Sequence, residues 1–106
     1  MERRYMLNRH LDFYGALLTD HARELMRLRV EEDMSLQEIA DLFGISRQAV
    51  HDSLSRSEKQ LIEFEEKLGL IARFERLKIS VNECESQLQT VREALNRAQE
   101  IIKGLD

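Results

Sequence analysis

The chain has 106 residues, which fits one domain or a small domain with one long additional element. It has no proline, only four glycines and 34% charged residues, a composition that favours helices over sheets and over disorder. Its net charge of −4 differs from the basic balance that is usual in nucleic-acid-binding domains. The one cysteine, Cys84, excludes an internal disulfide. Charged residues follow Met1 and no apolar run approaches the roughly 20 residues that span a bilayer, so we expect a cytoplasmic protein without membrane insertion.

The first thirty residues predict two helices. Apolar residues at helical spacing indicate a first helix over about Arg4–Leu18, and this spacing favours core packing of its aromatic residues, which are Tyr5, Phe13 and Tyr14. Thr19 is a suitable N-cap for the second helix. The buried face of that helix is expected to come from Ala22, Leu25, Met26 and Leu28–Val30. The acidic run Glu31-Glu32-Asp33 is expected to form a solvated turn after it.

The third and fourth helices have clear start and stop signals. Ser35 and Glu38 have the spacing of a capping box, in which each side chain satisfies a free backbone N–H of the other residue. Gly44 is placed to end the third helix in a left-handed conformation, and Ser46 is placed to cap a fourth helix that runs to about Lys67. The inner face of the third helix is expected to contain Leu36, Ile39, Ala40, Leu42 and Phe43.

The segment Leu36–Ser55, LQEIADLFGISRQAVHDSLS, has the pattern of a helix-turn-helix. Ala40 is small where two helices cross closely, and Gly44 permits the tight turn between them. A small core that fixes the two helices is expected from Ile39, Ile45, Val50 and Leu54. In known cases the second helix of this motif enters the major groove of DNA.

The exposed face of the fourth helix is the candidate binding site. At roughly 100° per residue, polar side chains face away from Val50 and Leu54. The candidate nucleic-acid-binding residues are Arg47, Gln48, His51, Ser55, Arg56 and Lys59. Asp52 lies in the middle of this face, where it would repel a phosphate backbone. Two interpretations therefore stay open, direct DNA binding and a helix-turn-helix scaffold that presents its surface to a protein or to RNA.

The last third of the chain predicts one long helix, about Leu70–Lys103, with a heptad seam. Apolar residues recur at steps that alternate between four and three, the a/d pattern of a coiled coil. The expected dimer interface is Phe74, Leu77, Val81, Cys84, Leu88, Val91, Leu95, Ala98 and Ile102. The pattern favours a homodimer, with parallel and antiparallel pairing both open, and the alternative is that the helix folds back on its own bundle.

These elements predict an all-α fold, with a helix-turn-helix domain at 1–69 and a dimerisation helix at 70–106. The histidines, His10, His21 and His51, have no metal-ligand spacing with one another or with Cys84. A glycine loop that could cradle phosphate is absent from the sequence. We therefore expect a non-enzymatic protein without a metal, a cofactor or a small-molecule substrate.

The stretch LRVEEDMSLQEIADLFGISRQAVHDSLSRSEKQL resembles region 4 of bacterial sigma factors. The longer segment ERRYMLNRHLDFYGALLTDHARELMRLRVEEDMSLQEIADLFGISRQAVHDSLSR is similar to the YlxM family of small Gram-positive bacterial proteins, and the long helical tail fits it too. The resemblance implies a helix-turn-helix regulatory protein, encoded beside signal-recognition-particle genes. It also implies a role in that pathway, through contact with the particle's GTPase or its RNA. The alternative function is sequence-specific regulation of transcription through DNA.

Overall fold

The computed structural model describes residues 2–105, and across them the regular elements are all helical. In chain order they are α1 (Glu2–Tyr14), a 3-10 turn (Gly15–Leu17), α2 (Asp20–Val30), α3 (Leu36–Phe43), α4 (Arg47–Leu68) and α5 (Leu70–Gly104). The predicted all-α class is confirmed. The chain divides into two compact units, one that extends to Ile71 and one that begins at Ala72. We call the first the helix-turn-helix unit and the second the C-terminal helix.

Side-chain caps begin three of the helices where the sequence predicted them. Thr19 Oγ1 accepts a hydrogen bond from the Ala22 N–H at 3.2 Å. In the capping box, Ser35 Oγ accepts from the Glu38 N–H at 3.0 Å, and Glu38 Oε1 accepts from the Ser35 N–H at 3.1 Å. Ser46 Oγ accepts from the Ala49 N–H at 3.0 Å. Each cap satisfies a backbone donor that the helix itself leaves unpaired, which fixes where the helix begins.

Two glycines end helices in the left-handed conformation. Gly44 follows α3 with a φ of 66°, and Gly69 follows α4 with a φ of 62°. A residue with a Cβ is strained at these angles, so glycine is favoured at both positions. Gly44 is the turn of the helix-turn-helix, and Gly69 separates α4 from α5.

The core of the helix-turn-helix unit has two clusters. One joins α1, α2 and α4, and its buried members are Leu7, Leu11, Tyr14, Leu18, Met26, Val30 and Leu61. The other holds the helix-turn-helix itself, and its buried members are Leu25, Leu28, Ile39, Ala40 and Val50. Ile45 and Leu54 pack against the second cluster, as expected. Leu25 and Leu28 belong to α2, so α2 packs against both helices of the helix-turn-helix.

The expected buried faces were wrong at Leu42, at Tyr5 and at Arg29, which is exposed. The first helix is also shorter than expected. Leu42 is 63% exposed, because it lies about 110° around α3 from the centre of the buried stripe. Tyr5 is 69% exposed, whereas Tyr14 is fully buried, so the aromatic residues do not share one environment. Helix α1 ends at Tyr14 and continues as the 3-10 turn, rather than as an α-helix to Leu18.

A buried tyrosine ties α1 to the junction between α4 and α5. The Tyr14 hydroxyl donates to Glu65 Oε1 at 2.5 Å and accepts from the Leu70 N–H at 3.0 Å. Glu65 Oε1 also accepts from the Ile71 N–H at 3.0 Å. Burial raises the pKa of the Tyr14 phenol, and the hydrogen bond with Glu65 adds to this, so the hydroxyl stays protonated and able to donate. These bonds satisfy two free amide groups at the start of α5.

Replacing Tyr14 with phenylalanine is therefore expected to lower the free energy of unfolding by about 1–2 kcal/mol, because two buried hydrogen bonds are lost. Urea denaturation measures the change, and hydrogen exchange should become faster at the Leu70 amide. Tyr5→Phe is the matched control, since Tyr5 is exposed and the same atom is removed. Equal midpoints for wild type and Tyr14→Phe would contradict the role assigned to this hydroxyl.

Candidate binding surfaces

Helix α4 is held by one face and exposed on the other. Val50, Ser57 and Leu61 are buried along its inner side, with at most 2% exposure. Their spacing of seven and four residues keeps them on one side of the helix. The six candidate residues of the sequence analysis are all exposed: Arg47, Gln48, His51, Ser55, Arg56 and Lys59. We call this outward side the α4 face.

Asp52 changes what the α4 face can do. Gln48 Nε2 donates to Asp52 Oδ1 at 2.9 Å, and His51 Nδ1 lies 3.4 Å from the same oxygen. A glutamine reads adenine through a bidentate contact of its free amide, and a carboxylate beside it repels phosphate. The side chain best suited to reading a base is thus engaged by an anion on its own helix.

The charge around the α4 face is mixed rather than basic. Between Arg47 and Lys59, three cationic side chains, those of Arg47, Arg56 and Lys59, stand against the carboxylates of Asp52 and Glu58. Up to Gly69 the chain has ten Lys and Arg against fourteen Asp and Glu. A phosphate backbone gains little from such a surface, since affinity for it comes from clustered cations.

A cleft beside the α4 face was not anticipated from the sequence. His51, Ser55 and Glu58 form one wall, and Leu7, Met26, Val30 and Leu54 are among the apolar residues that line it. Its other wall comes from the N-terminal arginines and from α2, which meet α4 only in the folded unit. The arginines of this wall are Arg3, Arg4 and Arg29. The sequence signal for this cleft was the Arg3-Arg4 pair. Because this pair is far from α4 along the chain, its contact with α4 could not be predicted from the sequence.

These arginines are held by the protein's own groups. Arg3 forms an ion pair with Glu58. Arg4 Nε donates to the Val30 carbonyl at 2.8 Å, and an Arg29 terminal nitrogen donates to the Met34 carbonyl at 2.8 Å. Arg4 also pairs with Asp33, another residue of the cleft, at 3.6 Å. The cleft therefore has an apolar floor edged by charges of both signs. A protein segment that offers apolar side chains and both signs of charge suits such a surface better than a bare phosphate backbone does.

The heptad seam of the C-terminal helix is an apolar stripe at the surface. No residue of α5, all of which lies within the described part of the chain, is buried. Leu77, Leu88 and Leu95 are 60%, 57% and 55% exposed. The remaining members of the expected interface are exposed as well: Phe74, Val81, Cys84, Val91, Ala98 and Ile102. A contiguous apolar stripe at the surface marks an interaction site.

Two other kinds of feature are absent from residues 2–105. No group of three or more His, Cys, Asp or Glu side chains is arranged to hold a metal ion. Within the same residues, no helix combines the length and the apolar character needed to cross a bilayer. His10 Nδ1 lies 2.8 Å from the Met6 carbonyl oxygen of its own helix.

Comparison with known proteins gives one consistent family. The sequence profile of UPF0122, described as "Putative helix-turn-helix protein, YlxM / p13 like", matches residues 1–103. A UPF0122 protein of Thermoanaerobacter sp. (strain X514) is 45% identical over 95 residues, which are 90% of this chain and 80% of that protein. A UPF0122 protein of Bacillus cereus (strain AH187) is 39% identical over 109 residues, covering 100% of this chain and 99% of the relative.

Proposed function

Because the chain belongs to the UPF0122 family of YlxM / p13-like helix-turn-helix proteins, we propose that it is a non-enzymatic regulatory protein of the signal recognition particle pathway. In this proposal it works in the cytoplasm and contacts the particle's GTPase or its RNA through the α4 face. The pathway comes from the resemblance to the YlxM family. The kind of contact is argued from the surface of the helix-turn-helix unit.

The observation that carries the proposal is the position of Asp52 in the middle of the exposed α4 face, where it accepts a hydrogen bond from Gln48. It places a carboxylate where a DNA-reading helix needs cations and free amides. Carboxylates and arginines on one face suit a protein partner, which offers both signs of charge. RNA carries the same phosphate charge as DNA, so of the two partners in the particle the GTPase is the one this surface favours.

Binding of the purified GTPase, measured by titration calorimetry, tests the proposal. Replacing Arg47 and Gln48 together with alanine is expected to weaken binding by roughly 10–100-fold, the loss typical of central interface side chains. Gln37→Ala is the matched control, because Gln37 makes the same kind of hydrogen bond to Asp41 on α3, at 2.8 Å. A GTPase that binds the double variant as well as the wild type would refute a role for the α4 face.

Sequence-specific DNA binding is the second candidate function. It is favoured by the exposed, Ser46-capped N-terminus of α4, which has the position of a recognition helix and carries Arg47. If it holds, duplex DNA should bind with a steep loss of affinity as salt is raised, and Asp52→Asn should tighten binding by removing the repulsive charge. If neither added salt nor Asp52→Asn changes the affinity for any duplex in a library, this function is excluded.

We further propose that the protein acts as a homodimer joined by the C-terminal helices. The seam from Phe74 to Leu105 spans about 46 Å at 1.5 Å per residue, and its apolar side chains are exposed along this whole length. The seam of a second copy has the same length and the same heptad pattern, so it can bury these exposed side chains. A dimer carries two copies of the α4 face, which raises the effective concentration for a partner whose two sites can reach both copies.

A further inference from the structure

We propose that the two C-terminal helices pair antiparallel, centred between Gln89 and Thr90. This inference rests on the homodimer proposed above and adds its orientation and its register. In the heptad, position a holds Phe74, Val81, Leu88, Leu95 and Ile102, and position d holds Leu77, Cys84, Val91, Ala98 and Leu105. The d residues face one another in a parallel pair, whereas each d residue faces an a residue in an antiparallel pair.

The sizes of the seam residues separate the two orientations. Both small residues, Cys84 and Ala98, are at position d, and position a is large throughout. A parallel pair would stack Cys84 on Cys84 and Ala98 on Ala98, leaving two thin layers in the interface. In the antiparallel pair Cys84 meets Leu95 of the second copy, and Ala98 meets its Val81. Layers that combine small and large residues pack to a more even density, which stabilises an interface.

The charges beside the seam point to the same orientation. In a parallel pair, Arg73 of one copy lies beside Lys78 of the other, and this like-charge contact occurs twice. In the antiparallel pair centred at 89–90, Glu85 lies beside Arg92 of the second copy, and this opposite-charge contact also occurs twice. Flanking charges set the orientation of coiled coils in this way. The other flank carries only uncharged neighbours, Ser80 with Ile101 and Gln87 with Ala94.

Antiparallel pairing has a consequence for the helix-turn-helix units. The second compact unit begins at Ala72, within α5. The Ala72 residues of the two copies would lie at opposite ends of the pair, about 52 Å apart along the axis. A parallel pair would place them side by side. The two helix-turn-helix units are thus joined to the pair at its opposite ends.

Oxidation of engineered cysteines tests the orientation directly. Cys84 of one copy is about 16 Å from Cys84 of the other in the antiparallel pair, too far for a disulfide. The wild type is therefore expected to give no covalent dimer, whereas Leu95→Cys, which keeps Cys84, is expected to give one. The control is Cys84→Ser combined with Leu95→Cys, which is expected to give none. A covalent dimer of the wild type would overturn the proposal, as would no link in a Leu95→Cys protein that sediments as a dimer.

Charge reversal gives a second test that places no new group in the seam. Glu85→Arg and Arg92→Glu are each expected to weaken dimerisation by roughly tenfold, and the double variant is expected to restore it. In a parallel pair these residues face Ser80 and Gln87, so the double variant would show no rescue, and this result would refute the antiparallel orientation.

Sedimentation of the wild type separates the two proposals. A monomer at tens of micromolar would refute the homodimer itself, whereas a dimer with a Cys84 disulfide would refute only its orientation.

Discussion

Replacing Leu88 with aspartate is expected to convert the proposed dimer into a monomer. Leu88 lies near the middle of the seam, so each dimer would lose two buried leucines and would have to bury two carboxylates in their place. Dimerisation is expected to weaken by at least about 100-fold, since each substitution forfeits a leucine side chain and desolvates a charge. Analytical ultracentrifugation over a range of micromolar concentrations measures the shift.

Ile79→Asp is a stringent control for this substitution. Ile79 and Leu88 are exposed to nearly the same extent in the single chain, at 58% and 57%. Ile79 lies on the outer side of α5, away from the seam, so its replacement is expected to leave the dimer intact. If both substitutions dissociate the dimer equally, the cause would be a general loss of stability in α5 rather than a loss of seam contacts. The dimer interface would then have to be assigned elsewhere.

Ile39→Ala is expected to lower the free energy of unfolding more than Tyr14→Phe does. Ile39 is completely buried where α3 packs in the second cluster of the core, so its truncation removes apolar contacts and leaves a cavity. The free energy of unfolding should fall by about 3 kcal/mol, within the range for large-to-small substitutions in protein cores. Chemical denaturation followed by circular dichroism measures this change.

Leu42→Ala is the matched control on the same helix. Leu42 is 63% exposed, so its truncation is expected to change the unfolding free energy by less than about 0.5 kcal/mol. A large loss at Leu42 together with a small one at Ile39 would mean that the buried side of α3 is assigned incorrectly.

The helices and their ends could be predicted from the sequence because their signals are local. Ser35 and Glu38 are three residues apart, and a capping box depends on nothing farther away. Gly44 likewise fixes its own turn. The exposure of Leu42 could not be predicted in the same way. In a short, largely apolar helix, the sequence does not show which apolar residues are buried until the packing partners of each face are known.

The least predictable features were contacts between distant parts of the chain. Tyr14 and Glu65 are 51 residues apart, and nothing in either neighbourhood indicates that they share a hydrogen bond. The cleft beside the α4 face depends on Arg3 and Arg4, which reach it only through the packing of α1 against α4. The sequence predicted the candidate residues of α4 and their exposure. It did not predict the hydrogen bond from Gln48 to Asp52, because both side chains have several accessible rotamers.

An affinity pull-down from lysate, with and without nuclease, distinguishes a protein partner of the α4 face from a nucleic-acid partner. The bait is the tagged full-length protein, compared with its Arg47→Ala and Gln48→Ala double variant and with Gln37→Ala. We expect the signal recognition particle GTPase to be retained by the wild type and by Gln37→Ala after nuclease treatment, and to be lost from the double variant. Recovery of duplex DNA fragments in place of the GTPase, with loss of all partners after nuclease, would contradict the proposed contact with the GTPase.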